Sequence, residues 1–507
     1  MLADPGWDEQ LKLLAENRRS RAASQVRWSG VATAELALSA RRQVFAKAAA
    51  AAGPAGGFDA ETPLVVSGHQ PELFHPGVLI KNLALDRLAK RAGGVGVHLV
   101  IDSDLCRSTS IVAPRGPAER PTHESLVYDT VGVATPYEER RIGDEECLRA
   151  FPATVERALA GLIDSPLVTG VWPAVGQAVN GPGHLATVLS AARRALQADW
   201  LDRTIELPLS AVCDTDGFRA FAAELLVRCE EVREAYNAAL ADYRVAHRLR
   251  TPAQPLPDLA QDGGGRVETP FWVWSNASVE RRPLLAERRH QGVILSDGAG
   301  WSADVSANDA IARLGELRHT GVKIRSRALA TTLFCRWLLA DLFLHGIGGA
   351  KYDQVTDAWS QRLLGAAPPP HATLSATLRL PIARPTADVS TPAELRRRLR
   401  TLAYHPERFV ERDQAGERTL GWLDRKWRAI TLAKTPENAA ERHREIVAAN
   451  AALRSAVEPI RAAAEASLSA AGEREHADRM IGSRENSFVL FPRDWLVERL
   501  VAMVPIG

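Results

Sequence analysis

Cysteine is scarce in this chain: the 507 residues hold five, Cys106, Cys147, Cys213, Cys229 and Cys335, with no CxxC pair among them. That usage excludes a disulfide framework and a zinc ribbon and is expected of reduced thiols in a cytoplasmic protein. An excess of one charge is lacking too. Lys and Arg number 63 against 61 Asp and Glu, a net charge of +2, so no broad field draws the chain to nucleic acid or to a membrane surface. The most apolar stretch, residues 328–350, carries Arg336 and Asp341, which are costly in lipid; a buried helix of a soluble domain is expected there. The N-terminus mixes acids with bases and has no apolar core, unlike a secretory signal. No internal repeat, HExxH or HxH pattern is present, and metal catalysis is not expected.

What is present is ordinary globular material, 46% apolar and 24% charged, in a chain long enough for two or three domain-sized units. Residues 1–60 read as an N-terminal helical segment. A Gly/Pro-rich break then leads into residues 61–385, where "PLVVSG", a helix and "VGVHLVIDSD" form the strand–helix–strand signature of a parallel pair. Later strands are expected at "ETPFWVWSN" and "QGVILSD", among helical insertions. Residues 386–485 are rich in Ala, Arg, Glu and Leu and predict a long helical arm. Its stripe Ile446, Ala449, Leu453 and Val457 suits a seam between helices and, through it, a homodimer. Residues 486–507 regain strand and helix character and are expected to return to the core.

In an open α/β sheet, ligands bind beyond the carboxyl ends of the strands. Two loops fall there, "SGHQPELFHPG" and "DSDLCRSTS". Gly68 lets the chain leave the strand tightly, and Gly77 is expected to open the helix amides to an anion. His69, Gln70 and His75 can donate to phosphate oxygens or carry protons, and Lys81 adds a charge. Asp102 and Asp104 suit an amine, a ribose hydroxyl or a magnesium ion. His98, inside a strand, is assigned to the core. A second passage offers Arg327 for an anion, then Gly346, Gly348 and Gly349, read as a corner between two helices, with Lys351, Tyr352 and Asp353 at the start of the second. For each of these residues the plain structural reading, a turn, a cap or a core position, stands beside the functional one.

The two passages together resemble the family of the bacillithiol-synthesis cysteine-adding enzyme. "VVSGHQPELFHPGVLIKN" shares the family's order of Gly68, Gln70, Leu73, Phe74, Gly77 and Lys81, and "RALATTLF…GGAKYD" shares Arg327, Gly348, Gly349 and Tyr352. His69 stands where the family has a first Gln, and "IDSD" replaces a longer acidic stretch. The resemblance implies an α/β, Rossmann-like (HUP-type) parallel-sheet core with helical insertions and a C-terminal α-helical coiled-coil arm that dimerises. It also implies a ligase that joins an amino acid or other carboxylate to an amine, with ATP or another nucleotide activating the acid. His69, His75 and Asp104 would then be catalytic, and Gly68, Gln70, Gly77, Lys81, Asp102, Arg327, Gly348, Gly349, Lys351, Tyr352 and Asp353 would bind substrate or nucleotide. The alternative is a ligand-binding or scaffold protein on the same fold.

Overall fold

The computed structural model describes residues 1–52, 58–181, 183–251, 253–383 and 391–506. The Gly/Pro break at residues 53–57 and the boundary placed at residue 385 lie outside them.

The chain is mixed α/β, built on a six-stranded sheet in the order Leu2–Asp4, Ala372–Ser375, Leu342–His345, Leu64–His69, Val95–Val100, Thr204–Pro208. The last five run parallel, and Leu2–Asp4 closes one edge antiparallel to Ala372–Ser375. Counted along the chain, the parallel strands lie in the order 3-2-1-4-5. The direction of winding therefore reverses between Leu64–His69 and Leu342–His345, which is where ligands collect in such sheets. Leu64–His69 and Val95–Val100 are buried along nearly their whole length, as strands covered on both faces must be. Helix Pro76–Arg91 connects them and covers one face.

One expectation is corrected here. The apolar stretch at 328–350 is not a single helix: helix Ala328–Phe334 widens into a π-helical turn at Cys335–Leu339, and Leu342–His345 is a central strand of the sheet. An unbroken apolar run has no period by which to tell a buried helix from a buried strand. Asp341 marks the entry. Its buried carboxylate accepts from the Leu64 N–H at 2.7 Å and pairs with Arg21 and Arg41, so it ties the strand start to the N-terminal helices. Gly346 accordingly stands between a strand and helix Ile347–Leu364 as the helix's N-cap, with Gly348 and Gly349 in the first helical turn, and the segment is not a corner between two helices.

A second, antiparallel sheet of five strands is inserted between the third and fourth parallel strands. It contains the expected Val267–Ser275 and Gly292–Ser296 together with Ser278–Arg289, Ser302–Ser306 and Val322–Ser326. Helix Ala439–Ile481 packs against Pro392–Tyr404 and Glu417–Thr431, and Ala449, Leu453 and Val457 are buried by these helices of the same chain. The stripe read as needing a partner is thus largely covered within the chain. Phe488, Val489, Leu490 and Phe491 return to the core with no exposure, and the Phe488 N–H donates to the Phe74 carbonyl at 2.8 Å.

Candidate functional site

At the reversal of strand order lies a cavity of about 490 Å³. Gly68, His69, Gln70, His75, Gly77, Lys81, Asp104, Arg327, Gly348, Gly349 and Tyr352 all line it, so the two sequence passages meet there. Two helices start at its wall: Ile347–Leu364 begins after Gly346 with no side-chain cap, which leaves its first-turn N–H groups with partial positive charge, whereas in Pro76–Arg91 Pro76 has no N–H and the Gly77 and Val78 N–H groups donate to His75.

Lys81 is the centre of its electrostatics. The side chain is buried, donates to the Gly68 carbonyl at 3.0 Å, and forms no ion pair among the described residues. Burial lowers its pKa to about 8. A buried ammonium without a counter-charge is costly, and an anion in the cavity supplies one. Arg327, paired with Glu268 at 3.2 Å, keeps one buried guanidinium nitrogen without a partner among the described residues. Its guanidinium lies 4.0 Å from the Trp272 ring centroid, and that of Arg281 lies 4.3 Å from it, which joins the inserted sheet to the cavity wall.

The histidines are less free than the sequence suggests. His69 opens to the cavity but is packed by protein and set edge-on to Phe74 at 5.0 Å. Burial, with help from the nearby Lys81 charge, lowers its pKa to about 3, so it serves as a neutral donor or acceptor and not as an acid at neutral pH. His75 is the N-cap of helix Pro76–Arg91: its Nδ1 accepts from the Gly77 N–H at 3.1 Å, and Nε2 lies 3.7 Å from Glu485. Its pKa is lowered, chiefly by burial. Asp104 is engaged on both oxygens, by Gln70 at 2.8 Å and Arg281 at 3.1 Å, an arrangement that fits orientation better than magnesium binding. Gly77 has a packing reason: a Cβ there would lie 2.3 Å from the Ala376 carbonyl oxygen. Gly346 and Gly348 face open space.

Three expected residues stand elsewhere. Lys351 is exposed and outside the cavity lining. Asp353 is buried behind His345, paired with Arg336 at 2.5 Å; although burial opposes its charge, His345 and Arg336 hold its pKa below the usual carboxylate range. Asp102 points the other way: with His98 and Val100 it lies on the opposite face of the strand, and the turn that follows the strand carries Asp104 round to the first cavity; Asp102 lines a second cavity of about 870 Å³ with His98, Glu138, His184, Gln197 and Glu206. There Asp102 accepts from the Ser210 N–H at 2.9 Å and hydroxyl at 2.5 Å, and burial with the neighbouring Glu138 charge pushes its pKa up to about 7. His98 is buried, and neither ring nitrogen has a partner among the described residues.

His345, Trp272, Thr331, Ser375 and Arg484 also line the first cavity, and the sequence reading missed them. His345 was hidden by reading its strand as helix, and Arg484 comes from the far end of the chain, where no local pattern ties it to residue 68.

No protein-family model matches this chain, and no curated protein matches it in sequence. Among the described residues no helix is long and apolar enough to cross a membrane.

Proposed function

We propose that the chain is an enzyme on a Rossmann-like core that binds an anionic small molecule, a nucleotide or other phosphate, in the 490 Å³ cavity. There it joins a carboxylate, such as an amino acid, to an amine. The observation that carries the reading is Lys81, a buried cation with no ion-pair partner among the described residues, at a strand-order reversal where two helices start. Such a wall stabilises the negative charge that develops when a carboxylate oxygen attacks the γ-phosphorus of a nucleoside triphosphate and expels the nucleoside diphosphate, and again when the amine nitrogen attacks the acyl carbon of the acyl phosphate and expels inorganic phosphate. The proton that the amine loses in the second step passes to water. His69 and Gln70 would hold oxygen atoms, and Asp104 would keep Gln70 and Arg281 in place.

The experiment is calorimetric titration of the full chain with ATP, ADP and inorganic phosphate, followed by mass spectrometry of reactions that contain ATP and pooled amino acids and amines. Binding that Lys81→Met removes, with ATP-dependent formation of an amide, supports the ligase. Binding without turnover makes the chain a ligand-binding protein on the same fold, and no binding of any anion ends the proposal.

The same reading includes a homodimer through the helical arm. It is supported by Trp427, Ile430, Leu432 and Val447, large apolar side chains that stay exposed on helices Glu417–Thr431 and Ala439–Ile481 and the link between them.

A further inference from the structure

His345, Asp353 and His371 converge at the wall of the first cavity from three rigid elements. His345 ends strand Leu342–His345, His371 immediately precedes the neighbouring parallel strand Ala372–Ser375, and Asp353 is in the second turn of helix Ile347–Leu364. Parallel pairing brings the two imidazoles to 4.7 Å between ring centroids. Asp353 Oδ2 lies 3.0 Å from His345 Nε2 and 3.4 Å from His371 Nδ1, and one ligand atom from each residue fits within a span of 4.8 Å. Metal bonds of about 2.0–2.2 Å put tetrahedral ligand atoms roughly 3.3 Å apart, so little movement is needed to close these three on one ion. Their side chains are 10%, 1% and 17% exposed, which sets the trio apart from a solvated acidic patch.

The charge balance leaves room for a cation. Arg336 pairs with Asp353 and, at 2.8 Å, with Asp357, so two carboxylates meet one guanidinium. Arg336 also donates to the Pro369 carbonyl at 2.8 Å, which fixes it as the group that orients Asp353 from behind, as outer partners of metal ligands do. Gly349 matters as well: a Cβ there would come within 2.6 Å of His345 Nδ1 and push the ring out of place. His345 is the member of the trio that also lines the cavity.

We propose that His345, Asp353 and His371 form a binding site for a divalent cation of the zinc type, set in the wall of the anion-binding cavity. Two nitrogens and one carboxylate oxygen suit zinc, and cobalt in its place, better than magnesium or calcium, which favour all-oxygen sets. The chain has no CxxC or HExxH signature because the three ligands come from separate elements.

The test uses the full chain, stripped with a chelator and then titrated with Zn²⁺, with bound metal measured by inductively coupled plasma mass spectrometry and Co²⁺ followed by its visible absorption. One equivalent is expected to bind, and His371→Ala should weaken binding at least tenfold, as should His345→Ala. Because Asp353→Asn also breaks the Arg336 pair and could disturb folding, His371→Ala, checked by thermal melting, is the deciding variant. Lys81→Met should bind zinc like the parent while losing phosphate, which separates this proposal from the ligase reading. Failure to bind an equivalent of Zn²⁺ at micromolar free metal overturns it, and so does binding that survives in both His371→Ala and His345→Ala.

Discussion

The two cavities on either side of residues 101–104 differ in the charge each leaves unbalanced. The smaller contains Lys81, a buried cation without an ion pair among the described residues; the larger contains Asp102, a buried carboxyl whose hydrogen bonds come from a neutral serine. Both arise from one strand-end loop, in which Asp104 faces the first cavity and Asp102 the second. In the first, Asp104 is neutralised by Arg281, so the lysine is left to set the sign. In the second, Glu138 and Glu206 are occupied by Arg325 and Arg193, and the aspartate sets it. What remains unpaired, and not the total of charged side chains, decides what each cavity attracts.

That contrast gives opposite dependences of stability on pH. Lys81 has a lowered pKa, about 8 against 10.5 unfolded. Between those values the unfolded chain binds more protons, so stability rises with pH there, and the contribution is lost as pH falls through about 8. Asp102 has a raised pKa, about 7 against 3.8. Its contribution is present below 3.8 and is lost as pH rises through about 7.

The largest effect is expected from Lys81→Met. The buried stem is kept and the charge removed, so the alkaline rise, on the order of 3 kcal/mol, should disappear from denaturant titrations run across pH 7 to 11. Affinity for phosphate or nucleotide should fall about 10- to 100-fold, the worth of a hydrogen bond to a charged group. A variant that binds anions as the parent does would erase the distinction between the cavities. Asp102→Asn is the mirror experiment. It should flatten the loss of stability between pH 4 and 7 and leave anion binding unchanged, by a smaller amount because Glu138 shares the interaction. An unchanged acid limb would show that Asp102 does not carry the second cavity's charge.

His75→Ala sharpens the comparison at a lower level. Since His75 Nδ1 caps helix Pro76–Arg91, its loss should cost about 1 kcal/mol of stability, read as a lower denaturant midpoint. Anion affinity should decline only as far as the helix start loosens. Loss of binding at undiminished stability would instead make the side chain a direct ligand contact.

The region around residues 64–91 was legible in the sequence because its signals are local: an apolar strand, a glycine exit, a proline at the first helical turn and a lysine one turn on. The cavity's other wall was only half legible. Arg327 and the glycines were singled out, but with the Leu342–His345 strand read as helix the site's topology, and His345 with it, stayed out of view. The inserted sheet was seen in two of its five strands; the first half of Ser278–Arg289 is polar and charged apart from Val279 and Pro283 and has no buried residue, and so carries no apolar alternation to read. The direction in which Asp102 points depends on the strand's exact end, and element ends are the least determined feature of any sequence pattern.

The smallest effect on stability, and the one that isolates the arm from both cavities, is expected from Trp427→Glu. Trp427 is 65% exposed, so the folded chain loses little packing, and its unfolding free energy from denaturant titration should change by no more than about 0.5 kcal/mol. Ala449, Leu453 and Val457 are already covered by helices of the same chain, so an association of two arms cannot draw on that stripe. It must use the exposed Trp427, Ile430, Leu432 and Val447, where a charge in the middle of the patch is poorly tolerated because burying it unpaired is costly. Light scattering at micromolar concentration should therefore show a dimer for the parent and a monomer for Trp427→Glu, with phosphate binding the same in both. A parent that is already a monomer removes the dimer. A loss of phosphate binding in the variant would mean that the arm completes the first cavity, and that the two regions are not independent.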